Sequence, residues 1–114
     1  MPRVTHTAVE TSGKYPTAPF TLTATAATPA DDEQTALTGR EVIIFRNSGA
    51  SERNVIITSV ADSQKNRTGN VSFALAAGAI KAVGPLGIDG WRQSDGMLYF
   101  EADHAEVLIS VIRV

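Results

Sequence analysis

The chain of 114 residues contains no cysteine, so neither a disulfide framework nor a thiolate metal site is open to it. That absence fits assembly in the cytosol better than a small secreted scaffold. No apolar stretch is long enough to span a bilayer, and the opening MPRVTHTAVE lacks the hydrophobic run of a signal peptide. No membrane is therefore expected as a partner. Helix-period runs and internal repeats are missing as well. A surplus of basic charge is also missing: 10 basic against 12 acidic residues give a net charge of −2. The imbalance sits in residues 1–38, where Arg3 and Lys14 meet Glu10, Asp31, Asp32 and Glu33. Residues 39–114 carry both signs equally. No basic face stands out, which argues against nucleic acid as a ligand. A near-neutral chain has little self-repulsion and tolerates close packing with copies of itself.

The signatures of catalysis are equally sparse. The two histidines, His6 and His104, lie near opposite ends of the chain. No GxSxG elbow accompanies His104, which reads as a solvated turn residue beside Asp103. The acidic run Asp31-Asp32-Glu33 lacks the alternating spacing of a calcium loop and reads as a solvated turn. Asp89, Asp95, Glu101 and Asp103 crowd the last hairpin, but a paired-carboxylate hydrolase needs a cleft deeper than so small a chain usually provides. GPLGIDG, residues 84–90, is no phosphate loop, because no Lys-Ser/Thr follows it and no helix begins there. The glycosylation sequons at Asn66 and Asn70 read as chance matches without a secretion signal. No catalytic residue, metal or cofactor is expected.

What is present is β-strand chemistry. Residues 40–60, REVIIFRNSGASERNVIITSV, hold two β-branched apolar runs, 42–45 and 55–58, around a small polar loop at 47–54. They read as an antiparallel hairpin with a long tip. Residues 61–69 follow as a polar loop. Strand 70–75 places Val71, Phe73 and Leu75 on one face. A tight connection at Ala76-Ala77-Gly78 leads to strand 79–83, stopped by Gly84-Pro85. Asp95-Gly96 is a two-residue turn between residues 91–93 and strand 97–100. A turn at 103–105 precedes strand 106–114, which is apolar on both faces and so reads as central or covered. Six strands from residue 40 onward, with frequent turn signals, predict a sandwich or barrel.

Residues 1–37 are rich in Thr and Ala and interrupted by Pro16, Pro19 and Pro29. Gly13-Lys14-Tyr15-Pro16 reads as a turn or extended link. A strand over 21–26 is expected here, with a short helical turn opened by the acids at 31–34. Two readings stay open: an arm across a neighbouring subunit, or an edge strand with loops on the chain's own domain. The boundaries are thus 1–37 for this segment and 38–114 for a β-sandwich domain.

The order of features from residue 38 onward carries a resemblance. Gly39 opens a hydrophobic strand that ends in an Asn-Ser-Gly loop, followed by a Val/Ile/Thr strand. Leu75-Ala76-Ala77-Gly78 then leads to Val83-Gly84-Pro85-Leu86. Gly90-Trp91 precedes a final strand ending Val111-Ile112-Arg113-Val114. This pattern resembles the head decoration (cement) proteins, and related small virion proteins, of tailed bacteriophages. The resemblance implies a single-domain antiparallel β-sandwich, or jelly-roll-like barrel, with an extended N-terminal segment. It implies a non-catalytic role on the outer surface of a capsid assembled in the host cytoplasm, with the major capsid protein and copies of itself, as dimer or trimer, for partners. Contact candidates are residues 2–29 and the loops 47–54, 61–69 and 84–91. Aromatics and arginine dominate interface anchors, which singles out Arg3, Tyr15, Phe20, Arg53, Arg67, Trp91 and Arg92. Two alternatives remain. One is another virion part, such as a head–tail adaptor or tail protein. The other is a carbohydrate-binding sandwich with Trp91, Tyr99 and Tyr15 on one flat face; against it, Trp91 also reads as a cap on the core.

Overall fold

The structure, a computed structural model, describes residues 3–11, 17–60 and 69–114. Among them there is no helix. Ten strands run in chain order as β1 (Val4–His6), β2 (Val9–Glu10), β3 (Thr25–Ala26), β4 (Glu33–Ala36), β5 (Glu41–Asn47), β6 (Arg53–Ile57), β7 (Val71–Leu75), β8 (Ile80–Val83), β9 (Met97–Ala102) and β10 (Val107–Arg113). They form two sheets packed face to face. Sheet A has the order β1-β4-β9-β6-β7, and sheet B the order β2-β10-β5-β8, with β3 also pairing β10. The expected β-sandwich is the architecture found, with two parallel pairings, β1 with β4 and β2 with β10, in an otherwise antiparallel frame.

Alternation builds the core. Ile43, Phe45, Val55, Ile57, Leu75, Leu98, Phe100, Val107 and Ile109 point between the sheets and are buried. Phe45 packs edge-on against both Phe73 and Phe100, with centroids 5.7 and 5.9 Å away. All six strands expected after residue 40 are present, and Gly84-Pro85 ends β8. The tight connection after Leu75 is there too, as a turn in which Ala79 N–H donates to Ala76 O.

The pairing of the first two of these strands is a correction. β5 and β6 do not form a hairpin: β5 lies between β10 and β8 in sheet B, and β6 between β7 and β9 in sheet A. Residues 48–52 carry the chain across the gap between the sheets. Both strands are apolar runs that bury every second side chain, and such a run marks a strand facing a core without saying which strand lies alongside. Two further expectations change. The run 31–34 is no helical turn, because Asp31 and Asp32 N–H both donate to Thr28 O in a tight turn and Glu33 begins β4. Asp32 takes the left-handed conformation there, with φ 63°. The strand expected over 21–26 is confined to β3. A turn closes at Asp95-Gly96, where Gly96 N–H donates to Gln93 O and Gln93 N–H to Met97 O.

Within residues 1–37, β1 and β4 belong to sheet A, and β2 and β3 line the outer edge of β10 in sheet B. Two fully buried carboxylates fasten this part. Glu33 accepts from Thr28 N–H and Thr28 Oγ1 and lies 3.2 Å from His6 Nε2; the reading of this acidic run as solvated therefore fails at Glu33. Glu41 accepts from Thr38 N–H and Oγ1 (2.7 and 2.8 Å) and from Arg113 Nε at 2.5 Å, while Arg113 also donates to Glu10. Burial pushes the Glu41 carboxyl up, but the bonds from Arg113, Thr38 and Arg40 together outweigh it and hold the group at about 2.

Because the folded value lies below the ordinary 4.5, the stabilisation from Glu41 is complete above that pH and is lost as the pH falls toward 2. Urea titrations between neutral and acid pH should show a Glu41-dependent loss of about 1–3 kcal/mol, discounted for the water-accessible Arg113. In Glu41→Gln that part of the acid sensitivity should be gone.

Candidate docking surface

One end of the sandwich gathers four connections that all cross between the sheets: residues 27–32, 48–52, 76–79 and 103–106. The strand directions require this. Val107 pairs Asn47, Ile80 pairs Arg46, Leu75 pairs Arg53 and Ala102 pairs Val55, so β5, β7 and β9 finish at the end where β6, β8 and β10 begin.

Asn47 organises this end. Its side chain is fully buried, with Oδ1 accepting from Gly49 N–H at 2.9 Å and Nδ2 donating to Ser51 O (2.6 Å) and Leu75 O (2.9 Å). Its main chain accepts from Gly78 N–H and donates to Ala79 O. One residue of sheet B thereby fixes the 48–52 crossing, the last residue of β7 in sheet A, and the turn into β8. Glu106 adds a second brace. It accepts from Arg53 Nε and Nη2 (3.1 and 2.7 Å), and Ser48 N–H and Oγ donate to its main-chain oxygen. Gly49 has to be glycine for this brace, since a Cβ there would lie 2.2 Å from the Glu106 carboxylate. The side chains left outward on the 48–52 and 76–78 crossings are mostly small: Ser48, Ala50, Ser51, Ala76 and Ala77 are exposed. Such a surface is pre-shaped and has little side-chain freedom to lose on contact.

The two outer faces of the sandwich differ in character. On sheet A, Thr5, Gln34, Asn54, Ser72, Tyr99 and Glu101 point outward. Tyr99 donates to Asp95 at 2.6 Å and lies under the Arg3 guanidinium, 4.3 Å from the ring centre. The hydrogen bond to Asp95 raises the Tyr99 hydroxyl and lowers the Asp95 carboxyl. Glu101 borders a cavity of about 230 Å³ with Asp32, Asn54 and Asp103. Burial, the charge of Asp32 and a hydrogen bond with it all push the Glu101 carboxyl up, against a smaller pull from Arg3. Among the described residues no three such side chains are placed to hold a metal ion. On sheet B the outward positions are apolar apart from Arg46 and Ser110: Val42 and Ile44 on β5, Ile80 and Ala82 on β8, Leu108 and Ile112 on β10.

The residues singled out by type are spread over the molecule. Arg53 lies in the braced end. Arg3 donates to the Glu33 and Phe100 carbonyls at the edge of sheet A. Phe20 is 37 % exposed in the segment leading to β3. Arg92 is exposed in the connection 84–96, at the opposite end. Trp91 is only 8 % exposed and belongs to the core cluster, so its ring provides no flat stacking face. Tyr15 and Arg67, with the loop 61–68, the link 13–16 and the sequon at Asn66, lie outside the described residues. Asn47 and Glu106 escaped a choice made by residue type; the Asn-Ser-Gly sequence carried a signal for the first, as an Asx turn closing on Gly49. His104 Nδ1 accepts from Glu106 N–H in the last crossing. Comparison with family models, curated proteins and solved structures finds no match to this chain.

Two substitutions probe these features. Asn47→Ala strands two carbonyls and an N–H and should cost about 2–4 kcal/mol in urea unfolding. Glu101→Gln should add about 0.5–1 kcal/mol at neutral pH by removing a charge the fold disfavours. Because the Glu101 pKa is raised, wild type recovers that difference as the pH falls through it, so the gain should shrink in acid.

Proposed function

We propose that this chain is a non-catalytic structural protein that coats the outside of a bacteriophage capsid, docking in many copies through the braced end. The observation that carries this reading is the braced end itself. Three of its four sheet crossings are tied together by Asn47 and Glu106, and the end presents a rigid surface of small residues. A coat of this kind works by adhesion. It requires a preformed surface more than a deep cleft, and many equivalent weak contacts on one particle sum to a strong one. The resemblance in the order of turns and strand ends over residues 38–114 supports the same reading. The major capsid protein is then the main partner and the capsid exterior the location. Apolar and small side chains make the contact, with Arg53 at its border.

The test is the abundance of the chain in particles purified from the phage that encodes it. Densitometry should give copies on the scale of the major capsid protein, and particles carrying Ala50→Lys or Ala77→Glu should lose the chain, while Ser72→Asp on the outer face of sheet A keeps it. A handful of copies per particle would point to a head–tail adaptor or tail component instead. Absence from particles would overturn the reading.

A further inference from the structure

A cavity of about 340 Å³ opens on the flank where the first three strands meet β10. That is the small end of the range for ligand pockets. Its apolar walls are Val4, Ala8, Val9, Ile109 and Val111, and exposed threonines complete the lining. Two polar groups border it. The first is His6, which is 8 % exposed and lines the cavity. Its Nε2 lies 3.2 Å from the Glu33 carboxylate, which accepts from Thr28 N–H and Oγ1 as well. Nε2 therefore carries the ring proton, and Nδ1 is left as an acceptor to which no described residue donates. The second is the N–H of Val111. Val107 O accepts from Ala27 N–H and Arg113 O from Thr11 N–H, so the odd-numbered residues of β10 turn their main-chain groups to this flank. Pairing with β3 ends at Ile109, opposite Thr25, and pairing with β2 begins at Ile112, opposite Val9. The parallel rung at Val9 engages Val111 O and Arg113 N–H, so Val111 N–H has no rung among the described residues. Val111 is 4 % exposed, and a buried N–H without an acceptor is uncommon.

We infer that this cavity binds a small neutral alcohol with a compact aliphatic body. A hydroxyl both donates and accepts, so it suits His6 Nδ1 and Val111 N–H alike. The walls select the body: valine, isoleucine and alanine side chains offer dispersion contact and no aromatic face for stacking. The lining selects neutrality, because no Asp, Glu, Lys or Arg is among its residues. An ion entering there would leave water without meeting a counter-charge. An anion would also face the buried Glu33 carboxylate behind the imidazole. Glu33 is a positioning residue in this site, since it fixes the tautomer and orientation of the ring that meets the ligand. β1 belongs to sheet A and β10 to sheet B, so a molecule held between His6 and Val111 bridges the two sheets. No lining residue belongs to the crossings 27–32, 48–52, 76–79 or 103–106. The site therefore stands or falls separately from docking of the braced end on a shell.

NMR titration of the full ¹⁵N-labelled chain with cyclohexanol tests this. The Val111 amide and the His6 ring nitrogens should shift together and saturate, with a Kd of about 1–10 mM for so small a probe, while the Ser72 amide on sheet A stays fixed. Cyclohexanone has the same body and an acceptor but no donor, and it should bind at least 5-fold more weakly. Cyclohexanecarboxylate and cyclohexylammonium carry a charge and should bind at least 10-fold more weakly. Thr23→Trp places a large ring in the cavity from an exposed position. It should keep the wild-type melting temperature and lose the cyclohexanol shifts. Four results would each overturn the inference: no saturable shift at Val111 and His6, equal binding of the ketone, an ion that binds as tightly as the alcohol, or shifts that persist in Thr23→Trp.

Discussion

Two β-sheets that share a core must be joined by chain that leaves one and enters the other, and here a single carboxamide governs that passage. Asn47 belongs by backbone to sheet B and by side chain to sheet A, through its bond to Leu75 O. It stands at the last residue of β5, inside the apolar layer, where an amide without partners would be costly. Its three side-chain bonds make the burial tolerable and, in doing so, leave the following five residues one route. The Gly49–Glu106–Arg53 contact holds only because that route has been set. The rigidity of the loop end thus begins with one polar group in a layer that otherwise excludes such groups.

The same device recurs elsewhere in the sandwich with charge. Glu33 and Glu41 are buried carboxylates, each wrapped by the N–H and hydroxyl of a nearby threonine, and each meets a side chain from far along the chain, His6 or Arg113. The first couples β1 to β4 and the second ties the start of β5 to the final strand. Paired and hydrogen-bonded groups of this kind add little to stability relative to apolar packing, but they penalise any arrangement that leaves them unpaired. In a sandwich whose strands all alternate in much the same way, such penalties help select one pairing among many.

Those facts also separate what was legible in the sequence from what was not. The strands after residue 40, β8 apart, bury Val, Ile, Leu and Phe at alternate positions, so their existence and inward faces follow from period alone. Their partners do not, and β5 and β6, which read as a hairpin, are in different sheets for that reason. β4 was hidden because its pattern is inverted: Glu33 and Thr35 face inward, and Gln34 and Ala36 outward. Only His6, 27 positions away, and the Thr28 cap make such a strand satisfactory, and the first is invisible in a local window. β1 and β2 are too short to announce themselves. The docking surface was legible as a loop at 47–54 but not as a braced end, since Glu106 reaches Arg53 across 53 positions of chain. The arginines and aromatics chosen by type fell on several separate surfaces, because residue type carries no information about convergence.

Lys81 leans inward from edge strand β8 and donates to Ala74 O of β7 at 3.1 Å, which guards an open margin of the sandwich. A sandwich has open sheet margins, and any protein held at high local concentration meets its own margins constantly. With the Lys81 amine engaged on the Ala74 carbonyl, an incoming chain meets a charge to displace on β8 and a bonded oxygen to free on β7 before the first rung can form. Neutralising that amine, by acylation or by strongly alkaline solution, would turn a guarded margin into a template, and the expected outcome is fibrous precipitation of molecules that are still folded.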